Sequence, residues 1–233
     1  MIRLPHFFLK FQYLIKHQAN FNLILKFVLF QLKKPLKNYL RSAQKKRFNQ
    51  YIADKKITHN FFSINCYDWI NNLKHKNIKN YLEIGAFEGL SILFLNKNFR
   101  PKRIHAVDTW KGSNEHGEET VFSKVIKNYK SNTKKLRNIK NFRMTSNAFF
   151  KKDNIKYDLI YIDGLHSRVQ VNKDLINSLK LAHEKSIIIC DDFFWKFDKK
   201  FTKNLPIAAI IPIIKKYKLK VTAISNNQVF LKI

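Results

Sequence analysis

The chain has 233 residues, enough to bury one sizeable core and leave room for an appendage, and at 45% hydrophobic residues it is too apolar to be intrinsically disordered. Its formal net charge of +29 is a field that draws polyanions. Abundant Lys, Asn, Ile and Phe beside only 5 Gly and 5 Pro is also what A+T-rich codon usage produces, so charge alone names no partner. The 2 cysteines, Cys66 and Cys190, give no basis for a disulfide framework or a cysteine metal site and suit a cytoplasmic protein.

The first 53 residues contain no acid, and Lys and Arg occur there eleven times before Asp54, the first carboxylate. Phe7, Phe8, Phe11, Leu14, Phe21, Leu25, Val28, Leu29 and Leu32 recur at roughly helical spacing, interrupted by Lys10, Lys16, Lys26, Lys33 and Lys34. No uncharged run reaches the roughly 18 residues of a membrane span, and no secretory cleavage pattern follows. Residues 1–60 are expected to form a basic amphipathic helical extension. Three fates are compatible with it. Residues 1–53 could lie on the inner face of an anionic membrane, pack as helices on the main domain or on a second copy in a homo-oligomer, or stay disordered.

From about Asn60 strands and helices alternate, the pattern of a parallel α/β sheet, so residues 61–233 are expected to form one domain. Phe61 to Leu73 reads as a helix. Strands are expected at Asn80 to Ile84, Arg103 to Val107, Asn141 to Met144, Asp158 to Ile162 and Ser186 to Cys190. Helices fall between them, at Leu90 to Asn96, Thr120 to Tyr129, Ala148 to Lys151 and Val169 to Ala182. A helix containing Pro212 follows, and then two strands, Lys220 to Ile224 and Gln228 to Ile233, joined at Asn226 and Asn227 as an antiparallel hairpin.

The glycines lie where expected strands end, and in an open parallel sheet ligands bind outside those carboxyl ends. EIGAFEG, from Glu83 to Gly89, follows an apolar strand and precedes a helix, and Gly there lets the backbone turn tightly and approach a ligand. Its spacing is not that of the dinucleotide fingerprint. Asp108 ends the second strand about twenty residues on, where a carboxylate can accept hydrogen bonds from both hydroxyls of a ribose. YDLIYIDGLH ends a strand at Asp163, and SIIICDDFF ends the next at Asp191 and Asp192. Adjacent strands lie about 5 Å apart, so these carboxylates can converge on one hard cation, or they can merely cap helices.

The glycine loop resembles the E-x-G-x-x-x-G loop of class I S-adenosylmethionine-dependent methyltransferases. The D-G-x-H and D-D segments are similar to those of metal-assisted O-methyltransferases, the methyltransferase-24 type above all. The resemblance covers about residues 79–233 and implies a Rossmann-like methyltransferase fold, with a mostly parallel seven-stranded sheet and a C-terminal antiparallel hairpin. It assigns Glu83, Gly85 and Gly89 to the methionine part of the cofactor, Asp108 to the ribose, and Ser146 and Asn147 to the adenine. It assigns Asp163, Asp191 and Asp192 to a divalent cation such as Mg2+. His166 stands three residues after Asp163, where the catechol enzymes carry a basic lysine; it is a candidate general base, or else an orienting or surface histidine.

Trp110 could border the adenine or simply pack, and His116 and Glu118 could touch substrate from a polar rim loop. The expected activity is methyl transfer to a hydroxyl of a small, sugar-like acceptor. RNA methylation is favoured only by charge, and no Asn-Pro-Pro-aromatic segment is present. A non-catalytic membrane-surface or interaction protein is the remaining alternative.

Overall fold

The computed structural model describes residues 4–112, 121–195 and 205–233. Three helices come first: α1 (Leu4–Lys16), α2 (Phe21–Leu36) and α3 (Asn38–Tyr51). A short 3-10 turn at Ser63–Asn65 leads into α4 (Cys66–Leu73). The α/β body then runs β1 (Asn80–Ile84), α5 (Leu90–Phe99), β2 (Arg103–Asp108), α6 (Phe122–Thr133), β3 (Ile139–Arg143), α7 (Ser146–Phe150), β4 (Tyr157–Ile162), α8 (Arg168–Lys180) and β5 (Ala182–Cys190). It closes with α9 (Pro206–Lys216), β6 (Lys220–Ser225) and β7 (Gln228–Lys232).

One seven-stranded sheet carries these strands in the order β3-β2-β1-β4-β5-β7-β6. All neighbours are parallel except β7, which runs antiparallel to both β5 and β6. The expected fold class is therefore the observed one. At the hairpin, Asn226 takes the left-handed conformation (φ 52°), which Asn tolerates better than most residues. Ends shift by a few residues where the apolar pattern is weak. The segment 61–73 begins with a 3-10 turn, α6 runs on to Thr133, and β5 starts at Ala182 because its first residues pair with the start of β4.

Strand side chains alternate between two cores, as they must in a sheet covered on both faces. Leu82, Ile84, Val107, Ile160, Ile162 and Ile188 face one core, which α7, α8 and α9 cover. Tyr81, Ala106, Leu159, Tyr161, Ile187 and Ile189 face the other, under α4, α5 and α6. The N-terminal helices join both layers. Tyr13, Leu14, Leu23 and Phe27 are buried in the first core, and Phe48 and Ile52 in the second. Phe27 packs 5.5 Å from the Phe194 ring, and Arg41 of α3 grips both oxygens of buried Asp68 in α4. Among the described residues no helix is long and apolar enough to cross a membrane. Cys66 and Cys190 are both free and buried.

Candidate active site

Parallel pairing sets the site. Ile84 is level with Val107 and Ile162, and Ile162 is level with Cys190, so the residues just past these positions emerge side by side. Those residues are Gly85, Asp108, Asp163 and Asp191. The loops are stitched together by their backbones. The amide of Gly85 donates to Val107, that of Asp163 to Ile84 and that of Asp191 to Ile162, each at 2.8 to 2.9 Å.

Gly85 has a positive φ of 90°, and a Cβ there would meet the carbonyl oxygen of Asp163 at 1.9 Å. Its smallness lets the loop after β1 lie against the loop after β4, which places Asp163. Gly89, also left-handed, opens α5 where a Cβ would press on Thr133 and Tyr129 of α6. The carboxylate of Asp108 accepts the amides of Phe87 at 2.9 Å and Trp110 at 2.7 Å, tying the end of β2 to the glycine loop. Each carboxylate oxygen can accept more than one hydrogen bond. Trp110 takes the packing role: it is buried, donates its indole N–H to the Phe87 carbonyl and packs at a tilt against Tyr129, with ring centres 4.7 Å apart.

Glu83 is fully buried, accepting hydrogen bonds from the hydroxyls of Tyr81 and Ser91. Burial pushes its carboxyl up to about 8 despite those donors. Glu88, absent from the expectations, is buried too; it accepts from the Thr58 amide and hydroxyl and from Asn128, fastening the segment before α4 to α6. Ser146 and Asn147, at the start of α7, both bond the amide of Gln170.

On the acidic side, ligand atoms of Asp163, His166 and Asp192 all lie within 4.8 Å of one another. His166 Nε2 is 3.4 Å from Asp163 Oδ1 and 3.3 Å from Asp192 Oδ2, and its ring is 5.0 Å from that of Trp195. Asp192 holds a left-handed φ of 49°, a strained conformation of the kind found where geometry serves a site. Asp191 points differently. Its Oδ2 takes hydrogen bonds from Tyr161 and from Gln228, and its Oδ1 from the Asp192 amide. The Asp163 carboxyl is raised by burial and then by the Asp191 charge.

Tyr161 and Gln228 are the members of this cluster that sequence reasoning did not find. Tyr161 lies two residues before Asp163 and so shares its side of the strand, a signal the strand period carries. Gln228 arrives only through the antiparallel register of β5 with β7, which leaves no local trace.

Most of these groups border one cavity of about 1060 Å³. Gly85, Gly89, Asp108, Ser146 and Asn147 line it together with Asp163, His166, Asp191 and Asp192. Phe87 borders it beside Phe61 and His59, whose rings stack at 5.3 Å. His116 and Glu118 lie outside the described residues.

A glycine loop after β1, a carboxylate at the end of β2 and the 3-2-1-4-5-7-6 sheet are the arrangement of a class I S-adenosylmethionine-dependent methyltransferase domain. The methyltransferase-24 family model, described as a methyltransferase domain, matches residues 82–193, the stretch that holds the glycine loop and every candidate cation ligand. No curated protein sequence matches the chain.

Solved structures do resemble it. A protein classed as an O-methyltransferase from Klebsiella pneumoniae is 13% identical, with a TM-score of 0.60 over 88% of this chain and 99% of its own. The O-methyltransferase from Bacillus cereus, solved with S-adenosylhomocysteine, is 14% identical, with a TM-score of 0.54 over 85% and 97%. MycE of the mycinamycin pathway, solved with Mg, S-adenosylhomocysteine and mycinamycin VI, is 12% identical, with a TM-score of 0.55 over 81% of this chain and 54% of its own. At such identities the likeness establishes the fold.

Proposed function

We propose that the protein transfers the methyl group of S-adenosylmethionine to a hydroxyl oxygen of a small, sugar-like acceptor, assisted by a divalent cation such as Mg2+. The observation that carries this reading is the convergence of Asp163, His166 and Asp192 on the cavity that also holds the glycine loop and Asp108. Hard cations prefer oxygen, so the carboxylates of Asp163 and Asp192 suit the ion and leave the imidazole of His166 for a proton. Asp191 can join them by giving up one of its bonds to Tyr161, Gln228 or the Asp192 amide. When bound, the cation supplies Lewis acidity at the acceptor oxygen.

The chain's own groups do the rest. Glu83, Gly85 and Gly89 seat the methionine part of the cofactor, Asp108 the ribose, and Ser146 and Asn147 the adenine. His166 Nε2 takes the proton of the acceptor hydroxyl as the oxygen–methyl bond forms and the sulfur–methyl bond breaks, leaving neutral S-adenosylhomocysteine.

An acceptor screen with methyl-labelled cofactor, covering sugars, phenols and RNA, tests the reading. Transfer to a hydroxyl compound that stops with chelator and in Asp192→Ala is expected. Transfer to RNA alone, or transfer indifferent to both treatments, sinks it.

A second reading concerns where the enzyme works. Phe21, Leu25, Leu29, Leu32 and Leu36 are all exposed and fall within about a quarter-turn of the α2 surface, with Phe8 and Ile15 exposed on α1. Single exposed apolar residues are ordinary, but a continuous stripe marks a contact surface. Two copies would bring like charges together, because residues 1–53 hold no acid, whereas an anionic lipid surface is complementary. We therefore read this stripe as a peripheral membrane contact. The full chain should float with phosphatidylglycerol vesicles, and Leu29→Glu with Leu32→Glu should abolish flotation. A stable dimer in solution that these changes dissociate would refute lipid as the occupant.

A further inference from the structure

The cavity is acidic only in part. The N-terminal helices contribute His6 and Lys10 from α1 and Lys34 from α2 to its lining, with Gln31 and Asn38 beside them. Lys10 is positioned rather than loose: its Nζ donates to Asn227 Oδ1 at 2.7 Å and lies 4.9 Å from the centre of the Phe194 ring. Asn227 in turn accepts the Phe193 amide, one residue beyond Asp192, so this lysine is tied to the loop that carries the acidic cluster.

Among the described residues neither lysine forms an ion pair with a carboxylate. Asp192 lies near enough for its charge to favour Lys10 without forming an ion pair, and Asp68, the acid whose charge favours Lys34, is already taken by both terminal nitrogens of Arg41. Two ammonium groups partly withdrawn from water beside each other are costly unless an anion completes the arrangement. Burial, and next the Lys34 charge, lower Lys10 to about 8, and Lys34 is lowered as well, by burial and by Arg41.

The chemistry of the donors narrows the anion. The flat fork of Arg suits carboxylate and phosphate alike, but among the described residues lining the cavity there is no Arg, and two separate ammonium groups match the near-double charge of a phosphate better than the single charge of a carboxylate. Lysines act on phosphate as movable point charges. Resting on the methyl-transfer reading above, the geometry points to a phosphate subsite: Lys10 and Lys34 hold a phosphate group of the acceptor while its hydroxyl lies at Asp163, His166 and Asp192. The acceptor class is then a hydroxylated phosphate ester, and the basic N-terminal helices form a specificity-determining wall of the site.

Calorimetric titration of inorganic phosphate into the full chain saturated with S-adenosylhomocysteine tests this. The double variant Lys10→Gln/Lys34→Gln is expected to lose about tenfold or more in phosphate affinity. Lys10→Arg/Lys34→Arg should retain most of it, which separates lost charge from lost folding. Lys45→Gln/Lys46→Gln, equal in charge but on exposed α3 positions outside the cavity, should behave as the wild type. Equal phosphate affinity in wild type and Lys10→Gln/Lys34→Gln, or an equal loss in the α3 control, overturns the subsite.

Competition assigns the source. Displacement of phosphate by glycerol 3-phosphate indicates a free ester, displacement by phosphatidic acid vesicles alone indicates a lipid headgroup, and displacement by neither overturns the proposal. Binding of S-adenosylhomocysteine is measured in the same samples. Phosphate binding through the two lysines without nucleoside binding would leave the subsite standing and sink the methyl-transfer reading, and the converse would sink only the subsite.

Discussion

Gln228 reaches from the first residue of β7 to Asp191 at the end of β5, donating its amide to Oδ2 at 2.8 Å. With its carbonyl it accepts the indole N–H of Trp69 in α4 at 2.9 Å. One side chain thus joins the terminal hairpin, the acidic rim and the helix beneath. Removing it leaves two polar groups short of a partner inside the protein, each costing about 1–3 kcal/mol. Gln228→Leu is therefore expected to lower unfolding free energy by roughly 2–4 kcal/mol, read from urea midpoints at unchanged slope. It should also tighten Mn2+ binding, followed by electron paramagnetic resonance, because Asp191 is released from Gln228 to join the ligands. A loss of stability without any change in Mn2+ affinity would limit Gln228 to packing.

Gly85→Ala attacks the same rim from β1. The added methyl would fall 1.9 Å from a backbone oxygen, that of Asp163, and a main-chain atom cannot swing aside as a side chain does. The positive φ of 90° adds its own penalty for any residue with a Cβ. A loss of roughly 3 kcal/mol or more is expected, together with displacement of Asp163. Gly164→Ala is the comparison. Its Cβ would meet a methyl of Ile84 at 3.3 Å and a carboxylate oxygen of Asp174 at 3.9 Å, both side-chain atoms, so it should cost much less. Equal melting temperatures for the two variants would contradict the loop packing described above.

These two positions also show what the sequence can and cannot carry. Strand ends were legible because parallel strands of alternating or continuous apolar residues stop at Gly or Asp, and the register Ile162 to Cys190 then brings Asp163 beside Asp191. What Gly85 makes room for was not legible: the close approach is to the β4 loop, a contact between segments almost eighty residues apart. Nor could spacing distinguish Asp191 from Asp192. They are neighbours in sequence, yet the left-handed turn at Asp192 sends one carboxylate to Tyr161 and Gln228 and the other to His166. Helical periodicity in the N-terminal segment marked amphipathic helices but could not say which apolar stripe docks. Leu23 and Phe27 go inward, while Leu25, Leu29 and Leu32 stay out.

Glu83 supplies a pH dependence whose sign is fixed by its burial. Its carboxyl lies at about 8 when folded against an ordinary 4.5, so between those values the native state keeps a proton that the unfolded chain releases. The contribution of this residue to stability is greatest below pH 4.5 and is lost as pH rises toward 8, by at most about 1.4 kcal/mol per pH unit. Glu83→Gln cannot titrate. The stability of the variant relative to the wild type should therefore improve steadily from pH 5 to pH 8 and level off above it, as measured by urea unfolding across that range. A difference that stays constant with pH would mean that Glu83 is ionised in the folded protein.

Asp108 allows the proposed cofactor role to be tested apart from the proposed cation site. Its two oxygens hold the amides of Phe87 and Trp110 and face the cavity, so the carboxylate shapes the glycine loop and, in the proposed function, also binds the ribose. Asp108→Asn keeps the size but turns one acceptor into a donor, which then confronts a backbone N–H. A modest stability cost of about 1–2 kcal/mol is expected from that mismatch. The larger effect should fall on the nucleoside: charge-assisted bonds to two hydroxyls are worth about 1.5–3 kcal/mol each, so affinity for S-adenosylhomocysteine should drop by at least about tenfold. Mn2+ affinity should hold, since Asp163, His166 and Asp192 come from β4 and β5 and their following loops rather than from β2. Calorimetry with each ligand separates the outcomes. Unchanged nucleoside affinity in Asp108→Asn would remove the ribose role, and a parallel collapse of both affinities would show that the glycine loop and the acidic cluster move as one unit.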